Sequence, residues 1–242
     1  MSRKLLIPAA AVGALVLLGG GAAYAYFFSG LRSTPPALGL ASPTPAASAS
    51  ASVSPTVAGT STWTVAAGSL AGYRVHEQFA GQSASHEAVA RTGAVSGQVT
   101  ITQNGSIYEM TGAKITVQLS ALASVDSVAG YNVTNRDRIV QEALDVGSFP
   151  SAVFEAQTTT LPAGVETGQT VTVSVPGKLT VHGVTRDVTA SLQLRVTGDV
   201  AQIAGSIATN MTDFGVSPPR APFVTVQPGT TIEVSLNLAK SA

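Results

Sequence analysis

His76, His86 and His182 have the widest chemical reach in this sequence. His76-Glu77 and His86-Glu87 each set an imidazole beside a carboxylate, a donor set for a divalent cation. Their separation matches no established zinc-ligand spacing, so scattered surface histidines are the simpler expectation. His182-Gly183 offers either a donor to a ligand's polar head or a solvated turn residue. Arg136-Asp137 could orient a ligand or form a structural ion pair or cap beside a helix. Serine, histidine and aspartate all occur, yet no Gly-x-Ser-x-Gly elbow marks an activated serine. No glycine-rich loop precedes a helix in the manner of a phosphate cradle. Cysteine is absent, which removes disulfides, thiol catalysis and thiolate metal sites. No catalytic residue and no metal site are assigned.

The elements that would position these groups are strands. Val171, Val173 and Val175 alternate with polar residues, and the alternation continues through Leu179 and Val181. After His182-Gly183 it resumes in Val188, Ala190, Leu192, Leu194 and Val196. Residues two apart share one face of a strand, so this is a hairpin turning at His182-Gly183. Tyr73, Val75 and Phe79 fall on one side of a run from Gly72. Further strands are expected at 97–102, 107–119, 152–156, 201–208 and 231–238, with a hairpin turn at Asn104-Gly105. Thr134 is expected to cap a short helix reaching Leu144, whose apolar face is Ile139, Val140, Ala143 and Leu144. Strands with one apolar face and a single helix must face one another, in a sandwich or a closed barrel. The inward residues are mostly Val, Ile, Leu and Ala. In a barrel of about eight strands, such small residues leave an apolar void wide enough for a ligand.

The rest of the chain is an appendage. Arg3-Lys4 precedes an uncharged run from Leu5 to Phe28. About 20 apolar residues span a bilayer as a helix, so residues 1–32 read as a transmembrane anchor with Tyr24, Tyr26, Phe27 and Phe28 at the outer interface. Ala23-Tyr24-Ala25 also fits a cleavage site, and a cleaved signal is the rival reading. Either way the domain is exported: tethered to the cell membrane by a single span, or secreted after cleavage. Residues 33–60 are rich in Ser, Thr, Pro and Ala and are expected to be a disordered spacer holding the domain (61–242) off the membrane. Arg3, Lys4 and Arg32 precede residue 60 and no acid does, which leaves the remainder with ten bases against thirteen acids. A mildly acidic domain does not suit nucleic acid.

Several short motifs fall in one order. Trp63 opens the series. Asn135-Arg136-Asp137, Leu144-Asp145-Val146 and Phe149-Pro150-Ser151-Ala152-Val153-Phe154 follow. Gly177-x-Leu179-Thr180-x-x-Gly183-Val184-Thr185 comes next, and Thr212-Asp213-Phe214-Gly215-Val216 closes it. Over roughly 61–240 this order resembles the YceI-like family of lipid- or polyisoprenoid-binding proteins. The resemblance implies an extended, lipocalin-like antiparallel β-barrel in an exported bacterial protein. Its pore would hold a polyisoprenoid, an isoprenoid quinone or a similar amphiphile, for carriage rather than catalysis. Candidate pore-lining residues are Tyr73, Phe79, Phe149, Phe154, Leu179, Val181, Leu192, Leu194 and Phe214. Arg136, Asp137, Gly177, His182, Gly183, Thr185, Asp213 and Gly215 carry the family motifs. No cofactor is implied beyond such a ligand, and the family's dimers leave a homodimer open. A filled β-domain on a stalk and a lipid-modifying enzyme are the rival functions.

Overall fold

The computed structural model describes residues 32–41, 59–80, 85–128, 132–221 and 223–241. The alternating runs become long antiparallel strands. β1 (Gly59–Val65) bends and continues as β2 (Leu70–Phe79), and β3 (His86–Thr92) continues as β4 (Val95–Asn104). Then come β5 (Ile107–Gln118), the helix α1 (Val133–Ala143), β6 (Ser151–Ala156), β7 (Val171–Val181), β8 (Val184–Thr197), β9 (Val200–Asn210) and β10 (Val224–Lys240). With β1–β2 and β3–β4 each counted as one bent strand, eight strands form the ring among the described residues. β9 pairs with β10, and β10 pairs in turn with β1 and β2, which closes it. Closure decides barrel over sandwich, and it leaves the ring without open edges. Ser69 fixes the β1–β2 bend: its hydroxyl donates to Ala66 O at 2.7 Å and accepts from Asn237 N at 3.0 Å.

The two ends of the barrel differ. At one end, buried Trp63, Leu161, Val165, Leu194, Ala201 and Leu238 pack into a plug. At the other, the strand ends beside the 182–183 turn pack with Ala143 and Leu144 and with Met211, Phe214 and Val216. The 182–183 turn has positive φ at both residues, His182 at 51° and Gly183 at 72°. That is the geometry a two-residue hairpin needs to match strand twist. A Cβ on Gly183 would also meet the Phe149 ring at 2.5 Å, so packing and backbone both demand glycine there.

Several expectations are corrected. The first barrel strand starts at Gly59, inside the stretch read as spacer. The second turn sits on Gly105-Ser106, because Asn104 pairs with Ile107 and only Gly105 needs positive φ (63°). α1 is capped by Asn132, whose side chain accepts from Thr134 N, and not by Thr134. β3 was not expected: Ala88, Val89 and Ala90 are all buried, so no polar alternation marks the strand.

The largest correction concerns residues 33–41, which run along the outside of the barrel instead of dangling as a spacer. Arg32–Ser33 pairs with Ser127–Val128. Beyond it, Arg74 Nη2 donates to Pro35 O at 2.7 Å, and Arg91 Nη2 donates to Pro36 O at 2.5 Å. Leu38 N donates to Glu233 Oε2 at 3.1 Å. Proline carbonyls with no competing ladder are good acceptors, and two arginines supply the donors. The strap buries charges that would otherwise face water. The Glu233 side chain is 2% exposed between Arg74 and Arg91, with both Nε atoms at 2.8 Å. Gly72 lies between Glu233 and Arg91 in register, and its missing side chain lets Arg91 reach across. The anchor expected over 5–28 and the remainder of the spacer lie outside the described residues. Among the described residues no helix is long and apolar enough to cross a membrane.

Candidate functional site

Small inward residues leave the barrel hollow. Ala71, Ala113, Ala156 and Ala190 line a cavity of about 240 Å³ with Val175, Leu192, Ile203, Ile232 and Leu236. A filled core would place large side chains at these positions. The plug at Trp63 and Leu194 closes one end. At the other, Ile139, Val140 and Ala143 of α1 and its C-cap Leu144 join the wall, with Phe214, Val216, Pro219 and Arg220. The exposed Arg220 lies at this second end, where the cavity opens.

Six of the nine expected lining residues do line it: Tyr73, Phe154, Leu179, Val181, Leu192 and Phe214. Three do not. Leu194 shares the inward face of Leu192 but lies deeper, inside the plug. Phe79 is at the far tip of β2, packed on Val128 and Val224 with its ring centroid 6.4 Å from that of His86. Phe149 stacks edge-on against His182, ring centroids 5.0 Å apart, and covers Gly183.

The motif residues mostly build the frame. A Cβ on Gly177 would meet Glu155 O and the Phe154 ring at 2.6 Å, so glycine lets Phe154 lie across β7. The Thr180 and Thr185 hydroxyls bond at 2.8 Å beside the turn. His182 Nδ1 lies 3.3 Å from Phe214 O, which ties the turn to the segment that seats Phe214 in the wall. Gly215 closes the 211–214 turn with φ 75°, while Asp213 is exposed. The Asp137 carboxylate accepts from Ser124 N at 3.0 Å and Ser124 Oγ at 2.5 Å, clasping the 123–126 loop to α1.

Arg136 enters the cavity wall itself, and around it stands a buried polar group that the sequence reading did not assemble. Arg136 Nη1 lies 3.3 Å from Glu77 Oε2, and Nη2 pairs with Asp126 Oδ1. Asp126 Oδ2 is 2.7 Å from His86 Nε2, and its Oδ1 also accepts from Val89 N at 3.0 Å. All four side chains are buried. His86 is therefore no surface histidine, whereas His76 is exposed. Among the described residues no group of three His, Asp or Glu could hold a metal ion.

The signals for this group were present. Glu77 occupies the inward phase between Val75 and Phe79. Arg136 precedes Ile139, Val140 and Ala143 by three, four and seven residues, which puts it on their helix face. Asp126 lies in an irregular run, where periodicity is silent.

Burial raises the Glu77 carboxyl above the ordinary range, and Arg136 only partly offsets this. Burial also opposes ionisation of Asp126, but hydrogen bonds from His86, Arg136 and Val89 N outweigh it and hold the carboxyl low. Burial pushes the Tyr73 phenol up against the pull of Arg136. The outcome is an aliphatic tube with one charged cluster near its mouth, of which Glu77, Arg136 and Tyr73 face the cavity.

The model of the YceI-like domain matches residues 60–239. The chain belongs to the YceI-like family. Its fold is similar to that of a polyisoprenoid binding domain from Saccharophagus degradans implicated in plant cell wall breakdown. That likeness has a TM-score of 0.52 at 12% identity, over 74% of this chain and 98% of the other. BcnA of Burkholderia cenocepacia aligns at 16% identity with a TM-score of 0.44, over 74% of this chain and 95% of its own. No curated protein sequence matches the chain. In this YceI-like chain, Arg136 of the Arg-Asp motif lies at the charged end of the cavity, and Leu179 of the Gly-x-Leu-Thr hairpin lies in its wall.

Proposed function

We propose that this protein binds one isoprenoid-type lipid or similar amphiphile in the barrel and carries it, outside the cytoplasm, on a membrane tether. The observation that carries the reading is the apolar cavity ending at the Glu77–Arg136 pair. An apolar chain fits the tube, and a polar head fits beside Tyr73, Arg136 and Glu77. The polyisoprenoid named for the Saccharophagus degradans domain supports this ligand class. The uncharged run Leu5–Phe28 supports the tether. A hollow barrel argues against a filled structural module. Among the described residues, the buried His86–Asp126 pair is the feature that favours an enzyme. Neither residue lines the cavity, and Asp126 is committed to Arg136 and Val89 N. Binding is therefore the better reading.

Burial of a chain stabilises the complex by about 0.8 kcal/mol per CH₂. Titration with geraniol, farnesol and geranylgeraniol should show affinity rising at least about tenfold per isoprene unit until the cavity is full. A flat series would sink the proposal.

A further inference from the structure

We propose that the barrel stands mouth-down on the membrane, with its open end held at the bilayer surface by the strap. This rests on the tether reading above and adds an orientation to it. The anchor run ends at Phe28, and the described chain resumes at Arg32, which already pairs with Val128. Four residue steps reach at most about 14 Å. Val128 packs with Phe79 and Val224 at the mouth, so the span emerges beside the open end.

From there the strap runs away from the mouth. Thr34 Oγ1 donates to Glu87 O at 3.1 Å, then the chain passes Arg74, Arg91 and Glu233. It continues past Ser235, whose hydroxyl donates to Gly39 O at 3.2 Å, to Arg195, which donates to Ala41 O at 2.5 Å. Arg195 pairs in register with Gln202, near the plugged end, where β1 also starts at Gly59. Ala41 and Gly59, the described residues on either side of 42–58, thus both lie near the plugged end.

Exposed apolar side chains alone do not choose an end. Phe223 (49% exposed) is at the mouth, and Ile107 (53%) and Val200 (52%) are at the opposite tips. The path of the strap is what distinguishes them. Its occupant is a lipid leaflet, and an apolar chain could then pass between bilayer and cavity without crossing water.

The test uses the full chain in phosphatidylcholine–phosphatidylglycerol nanodiscs. The protein lacks cysteine, so Phe223→Cys and Ile107→Cys each give a single site for a bimane label. A nitroxide quencher is carried on the lipid headgroups. The Phe223→Cys variant should lose most of its emission, and the Ile107→Cys variant should keep it. A flexible Gly/Ser insert between Gly30 and Leu31 should restore emission in the Phe223→Cys background and leave farnesol uptake in detergent unchanged. Equal quenching at the two sites, or quenching at Ile107→Cys alone, would overturn the orientation. Failure of the intact chain to enter nanodiscs would overturn it through the tether. Failure of farnesol uptake in detergent, with quenching at Phe223→Cys intact, would instead remove the lipid-binding reading and leave the orientation standing.

Discussion

Arg136→Leu should lower the unfolding free energy by about 3–5 kcal/mol at neutral pH, because breaking a buried ion pair strands its partners. Arg136 is 5% exposed and pairs with both Glu77 and Asp126. Leucine keeps the apolar volume, so the loss reports charge and not packing. The deficit should shrink in acid. Asp126 has a depressed folded pKa, so its contribution is present above the ordinary carboxylate range and is lost as pH falls through the folded value. Glu77 has a raised folded pKa, so its contribution is present below the ordinary range and is lost as pH rises through the folded value. Removing Arg136 takes away part of what holds Asp126 low, the bonds from His86 and Val89 N remaining, and drives Glu77 higher, and both changes cost most at neutral pH. Urea unfolding of wild type and variant at neutral pH and at about pH 4 measures this directly. A small deficit, or one independent of pH, would contradict the assigned role.

The second large effect concerns the cavity wall. Leu192→Asp should abolish lipid uptake, since it puts a carboxylate against the bound chain without a partner. Leu194→Asp should unfold the protein instead, because Leu194 lies in the plug at 7% exposure. Ala190→Phe provides a version without charge. Ala190 is 2% exposed and lines the cavity, so a phenyl ring there occupies the space a chain would take. A penalty of about 3 kcal/mol would lower affinity roughly a hundredfold. Circular dichroism confirms folding, and a fluorescent-lipid displacement assay reads uptake. Folded Leu192→Asp and Ala190→Phe variants that still take up lipid at wild-type affinity would show that the ligand binds elsewhere.

The fold was legible where one face of a strand is apolar and the other is wet. β7 and β8 show that alternation plainly, and His182-Gly183 announced their turn. β3 was hidden because Val89, on the outward phase, is covered as fully as Ala88 and Ala90. The strap was hidden for a related reason. Pro35, Pro36 and Leu38 show no strand or helix period, and their backbone atoms are held by the charged side chains of Arg74, Arg91 and Glu233 on distant strands. Composition cannot express that pairing. Glu77 and Arg136 could have been found by treating a charged residue in the apolar phase as a signal. Their meeting, with Asp126 between them, needed the closed barrel. Phe79 and Leu194 were placed on the correct face but at the wrong depth, because period-2 reasoning fixes the face of a strand and not the height along the barrel.

The most direct test of the central claim is native mass spectrometry of the protein purified from its own host, followed by organic extraction. One hydrophobic adduct per barrel is expected, with an isoprenoid or lipid mass recovered in the extract, and loss of that adduct in Ala190→Phe. An apo mass for the wild type, unchanged after incubation with a quinone or a polyprenol, would contradict it and leave the family likeness as a statement about fold.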